Sequence, residues 1–361
     1  MAIDYLALQG MRNFASLSLS PSPQINLISG SNGSGKTSLL ESIHYLAYSK
    51  SFRTHKQKFL IQHGKPSFTA YCKINGKQLG IERSVKGDRK IKLNGEWLHS
   101  AAELASLLPV QLLDPTMFKL LEGSPQFRRE YLDWGVFHVE QDFISLWRQF
   151  KMAHKTRNAL LRQGGCELSE RQIWHESLAG FANQITTMRK AYLSRLKPVF
   201  DQYLHNLNPN LDVSMSFYQG WGKDKDYLET LNQGWLSDLK QGFTQLGPQR
   251  ADLRLKVNGV PAVEVISRGQ QKMVVCALKL AQAKLYQEAT SSPCIFLVDD
   301  LAAELDITHR KALCSLLEEL ECQVFVTAVE AAQIADCWSP SSNVKKFHVE
   351  HGSLVEVSVP G

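Results

Sequence analysis

Apolar and polar positions alternate with period two at the start of the chain, which predicts strands. Residues 3 to 19 form a strand, the turn-like "QGMRNF", and a second strand through Ala15, Leu17 and Leu19; "SPSPQ" then leads into another apolar strand. Three Asn-Gly pairs, Asn75-Gly76, Asn94-Gly95 and Asn258-Gly259, lie beside alternating stretches such as "RKIKL" and "ADLRLKV". Both residues of such a pair tolerate positive φ, so each predicts a tight antiparallel hairpin.

The middle of the chain changes period. Ser124 and Pro125 predict a helix start, with proline at the first helical position. Apolar residues then recur at helical spacing (Phe127, Tyr131, Trp134, Val139, Phe143, Trp147, Phe150) up to a break at Gly164-Gly165. A second helix carries Trp174, Leu178, Phe181, Ile185, Met188 and Tyr192, steps of four and three that match a coiled-coil seam. Two readings follow: a short antiparallel helical arm, or a compact helical subdomain. After about residue 240 the αβ pattern returns, with "CIFLVDD" and "CQVFVTA" as short buried strands after helical sequence. The expected fold class is α/β: one head domain with mixed sheets and antiparallel hairpins, split by an inserted helical segment. The expected divisions are 1–120, 121–240 and 241–361, with both ends contributing to one sheet.

The candidate chemistry starts at "LISGSNGSGKTSLLESI". The spacing G-x-x-x-x-G-K-T between a strand and a helix is the P-loop pattern. Gly30, Ser31, Asn32, Gly33, Ser34 and Gly35 offer backbone amides to phosphate; Lys36 reaches the β- and γ-phosphates, and Thr37 is a Mg²⁺ ligand at the anion-favouring end of a helix. "CIFLVDD" reads as the matching Walker B strand, with Asp299 on the Mg²⁺ shell and Asp300 placed to orient the attacking water. ATP and Mg²⁺ are the implied ligands.

"ISRGQQKMVVCAL" decides among ATPases. Ser267, Arg268, Gly269 and Gln270 match the S-x-G-Q of the ABC signature, roughly 30 residues before Walker B; the plainer reading of the same residues is a helix cap. Asp306 in "AELD" matches the D-loop aspartate. Gln111, ending the apolar run of "PVQLLDP", is either the Q-loop residue or an ordinary strand-end residue. About 230 residues separate Thr37 from Ser267, a spacer much longer than transporter ATPases use.

Bulk properties narrow the setting. With 361 residues, 43% of them hydrophobic, the chain has no run approaching a membrane-spanning length, and its N-terminus, "MAIDYLALQG", lacks the basic flank of a signal peptide. Seven scattered cysteines without a C-x-x-C pair fit the reducing cytoplasm. A net charge of +6 is a mild hint of a polyanionic partner.

The segments "LQGMRNF", "ISGSNGSGKTSLLESIHYLAYSKSFR", "LLDPTMFKLLEGSPQFRREYLDWGVFH", "GPQRADL", "SRGQQKMVVCALKLAQ" and "VDDLAAELD" span almost the whole chain. In that order they resemble the bacterial RecF family of SMC-like ATPases. The resemblance implies a DNA-binding protein that dimerises on ATP, the signature of one protomer closing on the P-loop of the other. It also implies partnership with RecR and RecO in placing RecA on single-strand gaps. Arg12 and Asn13 correspond to a turn that lies by the adenine in such heads, or form a surface turn. Asp300 in place of glutamate, and Thr327 where transporters place a switch histidine, imply slow hydrolysis.

Basic residues cluster in "KSFRTHKQK" (Lys50, Arg53, Lys56, Lys58) and "RSVKGDRKIK" (Arg83, Lys86, Arg89, Lys90, Lys92), with further positive charge on the helical insertion. Arg53 either approaches the γ-phosphate or belongs to a solvated loop. No helix-turn-helix or zinc finger appears, so sequence-tolerant binding of duplex or junction DNA is expected. Two other functions compete: a subunit of an ABC-type transporter, against which the long insertion and the missing histidine count, and a P-loop kinase, which needs no S-R-G-Q.

Overall fold

All three Asn-Gly pairs form turns in which both residues have positive φ, 48° and 74° at Asn75-Gly76, 51° and 88° at Asn94-Gly95, and 50° and 83° at Asn258-Gly259. In the computed structural model, which describes residues 2–357, the first two join neighbouring strands of one antiparallel sheet. The chain divides into two units, Met1–Met117 with Tyr286–Gly361, and Phe118–Leu285.

The first unit holds two sheets of six strands each. The antiparallel sheet runs in the order Phe14–Leu19, Ile3–Met11, Ser67–Ile74, Lys77–Ser84, Arg89–Leu93, Glu96–Trp97. The mixed sheet runs Ser353–Val357, Val344–Glu350, Ile25–Ser29, Gln323–Ala328, Ile295–Val298, Val110–Leu113. The two ends of the sequence therefore build one sheet. Its central strands are parallel and buried on both faces, which is why they read as continuous apolar runs. The helix Lys36–Tyr48 supplies Leu39, Leu40, Ile43, Tyr45 and Leu46 to a core shared with Leu6, Leu8 and Phe14 of one sheet and Leu297 and Phe325 of the other.

The second unit contains the helices Pro125–Val139, Phe143–Arg162 and Leu168–Leu207 and a small sheet ordered Val260–Pro261, Asp252–Val257, Ser214–Tyr218. Proline does stand at the first helical position after Ser124, but the serine hydroxyl makes no capping bond. The helical run expected up to Gly164-Gly165 is broken earlier. Glu140 takes an extended conformation, and the polar residues Glu140, Gln141 and Asp142 separate two helices. Along Leu168–Leu207, Leu178, Ile185 and Tyr192 are buried while Trp174, Phe181 and Met188 are half-buried, so the seam packs on one side.

The unit boundary falls at Leu285, beyond the division expected at residue 240. The reason is the helix Arg268–Thr290, most of which packs with the helical unit: Tyr131 Oη donates to Leu278 O at 2.7 Å, and Gln282 Nε2 to Tyr131 O at 2.8 Å.

Candidate functional site

Six segments of the first unit meet at a cavity of about 600 Å³. Its lining includes Arg12, Asn13, Asn32, Gly33, Gly35, Lys36, Thr37, Arg53, Pro115, Asp299, Asp300 and Thr327. Glycine is required where the loop leaves the strand: Gly30 has φ of 149°, and a Cβ there would lie 2.3 Å from Val349 O. Lys36 opens the helix, only 8% exposed, and its ammonium folds back to donate to Gly30 O at 2.7 Å and Ser31 O at 3.0 Å. Burial lowers its pKa, opposed by the charges of Asp300 and Asp299.

Thr37 joins the two motifs. Its hydroxyl lies 3.0 Å from both carboxylate oxygens of Asp299, across 262 residues of sequence. Asp299 is nearly buried, which raises its pKa, while hydrogen bonds from Thr327 and Thr37 oppose the rise. A hydroxyl beside a carboxylate is a set of hard oxygen donors, which suits Mg²⁺. The loop also fits phosphate: the buried Ser34 hydroxyl has no hydrogen-bond partner among the described residues. Asp300 lies beside Asp299 on the cavity wall, in the left-handed region with φ 53° and ψ 49°.

The rim of the cavity rests on a residue that the motifs do not flag. Glu41, on the P-loop helix, is fully buried. Arg12 Nε and Nη2 donate to its two oxygens at 2.7 Å each, Ser51 Oγ donates to it, and Arg53 Nη1 lies 3.8 Å away. Arg12 also reaches Phe59 O at 2.9 Å, and Asn13 Nδ2 donates to Ser34 O at 2.5 Å. One carboxylate thus holds Arg12 and lies beside Arg53, both on the cavity lining. The only local signal is an acid among the buried apolar residues of "SLLESI".

Gln111 is not brought to this cavity. It is 1% exposed, inside the strand Val110–Leu113 opposite Phe296, and the chain reaches the cavity only after that strand ends, at Pro115. Asp306 is exposed and caps the helix Ile307–Glu319, accepting from Thr308 N at 3.0 Å and His309 N at 3.1 Å, with His309 Nδ1 at 2.5 Å. Hydrogen bonds from His309, the backbone one first, hold its pKa below the usual range.

The signature residues belong to the second unit. Ser267 Oγ accepts from Gln270 N at 3.3 Å, and Gln270 Oε1 accepts from Ser267 N at 2.8 Å. This is a reciprocal capping box at a helix start. Ser267, Arg268 and Gly269 are exposed, and Arg268 pairs with Glu122 and lies over the Phe118 ring. The capping reading of S-R-G-Q therefore holds, and the cap lies at an exposed helix N-terminus.

Of the basic residues, Lys50, Lys56, Lys58, Lys86, Arg89 and Lys90 are exposed and Arg83 is half-buried. Lys90 lies opposite Glu82, its Nζ 3.9 Å from the carboxylate. Arg83 and Arg89 are direct cross-strand partners. Like charges in that relation destabilise a sheet unless an anion sits over them.

Comparison with known proteins bears on the family and the fold. The RecF/RecN/SMC N terminal domain model matches residues 2–354. The chain is 46% identical to the DNA replication and repair protein RecF of Chromohalobacter salexigens, over 98% of this chain and 99% of that protein. It is 45% identical to the protein of that name from Stutzerimonas stutzeri, over 100% and 99%. A solved structure of the recombination mediator protein RecF with ATP, in the RecFOR pathway, superposes with a TM-score of 0.84 at 25% identity, covering 99% of this chain and 98% of that one. An Smc head bound to the C-winged helix domain of ScpA shares the fold alone, at a TM-score of 0.60 and 16% identity, covering 99% and 98%.

Proposed function

Because this chain belongs to the RecF family of SMC-like ATPases, we propose that it is an ATP-timed DNA clamp. It is an ABC-type ATPase of DNA replication and repair, a recombination mediator of the RecFOR pathway. The transporter alternative is not favoured, and no helix among the described residues is long and apolar enough to cross a membrane.

ATP enters the P-loop cavity, where Thr37 and Asp299 would hold a Mg²⁺ ion that would neutralise phosphate charge. Lys36 leaves its loop carbonyls for the phosphates. The exposed helix start at Ser267, Arg268, Gly269 and Gln270 then closes over the γ-phosphate bound by a second copy, with Asp306 at the same junction. Two copies so joined hold duplex or single-strand/duplex junction DNA. The contacts come from Lys50, Arg53, Lys56, Lys58, Arg83, Lys86, Arg89 and Lys90, with the helical unit as a short arm. RecR and RecO join it at gaps, and RecA is loaded there, in the cytoplasm.

Hydrolysis reopens the clamp. Aspartate is one methylene shorter than glutamate, so Asp300 stands roughly 1.5 Å further from the water it orients, and a misplacement of about 1 Å can cost on the order of 100-fold. Turnover is therefore well below the ~10 s⁻¹ typical of enzymes. The observation that carries the reading is the Thr37–Asp299 contact, which joins a P-loop to a Walker B carboxylate. The test measures hydrolysis and DNA retention on a gapped duplex. Modest stimulation by DNA, with log K falling linearly in log salt, supports the clamp. Salt-insensitive binding, or a strong preference for one base sequence, contradicts it.

A further inference from the structure

We propose that Thr327 is a positioning residue for hydrolysis, its one hydroxyl holding both the Asp299 carboxylate and the Asp300 backbone in place. Thr327 is fully buried on the strand Gln323–Ala328, which lies between the P-loop strand and the Walker B strand. It is the register partner of Ile28 on the P-loop side. On the other side its Oγ1 donates to Asp299 Oδ1 at 2.8 Å and accepts from the Asp300 N–H at 2.8 Å.

The second bond matters because of what Asp300 does there. With φ 53° and ψ 49°, Asp300 adopts a conformation that side chains other than glycine seldom take. It does so at the turn from the strand Ile295–Val298 into the short helix Leu301–Glu304, where the Asp300 carbonyl accepts from Ala303 N at 3.0 Å. The amide on one side and the carbonyl on the other leave the residue little rotational freedom. Thr327 supplies the amide's partner.

The same hydroxyl fixes the carboxylate that Thr37 touches. Asp299 Oδ1 accepts from Thr327 while both Asp299 oxygens face Thr37 Oγ1 at 3.0 Å. The hydroxyl at this position thus secures both acids at once. The inference rests on the reading of Asp300 as the group that orients water.

Valine at position 327 keeps the β-branched shape and removes the hydroxyl; serine keeps the hydroxyl and removes a methyl. Thr327→Val is expected to lower kcat by about tenfold or more while changing KM for ATP by no more than a few-fold, and Thr327→Ser to stay near the unmodified rate. A second readout needs no nucleotide: amide hydrogen exchange of the peptide containing Asp300 should quicken about tenfold in Thr327→Val and not in Thr327→Ser. If the valine variant melts below the assay temperature, Thr327→Ala is measured instead, with the same expectations.

Equal exchange and equal kcat in the hydroxyl-free and serine variants overturn the proposal, as does a loss confined to KM. Asp300→Asn separates the two layers. If Asp300→Asn hydrolyses ATP normally, the reading of Asp300 fails. If Asp300→Asn is inactive while Thr327→Val is unaltered in rate and exchange, only the role of Thr327 fails.

Discussion

The P-loop cavity and the signature helix start are both short motifs rich in glycine and hydroxyl groups, yet they are physically opposite. In the cavity, buried ionic groups are satisfied internally: Lys36 by its own loop carbonyls, Asp299 by the hydroxyls of Thr37 and Thr327, Glu41 by Arg12. At the signature, Ser267 and Gln270 satisfy each other and the surrounding surface is open. The first is a built pocket that, on the proposed reading, a ligand fills by displacing internal hydrogen bonds. The second is a helix end whose remaining amides and dipole favour an anion but do not enclose one. A site of the first kind binds on its own; one of the second kind acts when something else presents the phosphate to it.

That contrast is most sharply stressed at Glu41. Glu41→Gln weakens the bidentate hold on Arg12 and leaves a guanidinium that is only 19% exposed without its counter-charge. Breaking such a pair costs about 3 kcal/mol, so denaturant or thermal unfolding should show a clear loss of stability. An unchanged midpoint would mean that the pocket does not depend on its internal ion pairs.

Lys36→Met comes next. It removes two bonds to loop carbonyls, which the fold tolerates, and the charge proposed to meet the phosphates. ATP binding should weaken by about 100-fold, the equivalent of ~2.7 kcal/mol, with the melting temperature little altered. Tight ATP binding by this variant would contradict the assignment of the cavity.

Ser267→Arg has the smallest effect on the single chain. It removes one member of a capping box, which costs about 1 kcal/mol, and should leave ATP titration unaffected. The same variant is expected to sediment as a monomer with ATP. Normal dimerisation would erase the proposed difference between the two regions.

The cavity was legible in the sequence wherever its chemistry is local. The glycines, Lys36 and Thr37 are specified by one strand, one turn and one helix, and the buried strand before Asp299 announces itself by its apolar run. Partners in distant segments leave weaker traces. Glu41 looks like an ordinary helical acid until Arg12, 29 residues earlier, closes on it. Thr327 reads as a strand residue until it meets Asp299, 28 residues before it. Gln111 satisfied the pattern but lies within its strand, and its buried neighbours keep it there. The break at Glu140–Asp142 was hidden by apolar residues that keep nearly helical spacing across it. The unit boundary moved to Leu285 because the signature helix packs by its long buried face with the preceding helices, a tertiary fact that no local motif carries.

The central claim is that the pocket of one copy is completed by the helix start of another. Mixing tests it directly. Lys36→Met lacks a working pocket and keeps its signature; Ser267→Arg keeps its pocket and lacks a working signature. Sedimentation with ATP should find each variant monomeric alone and a dimer in the equimolar mixture, joined by its single intact composite site. A mixture that stays monomeric while the unmodified chain dimerises, or a Ser267→Arg variant that dimerises by itself, would contradict the account.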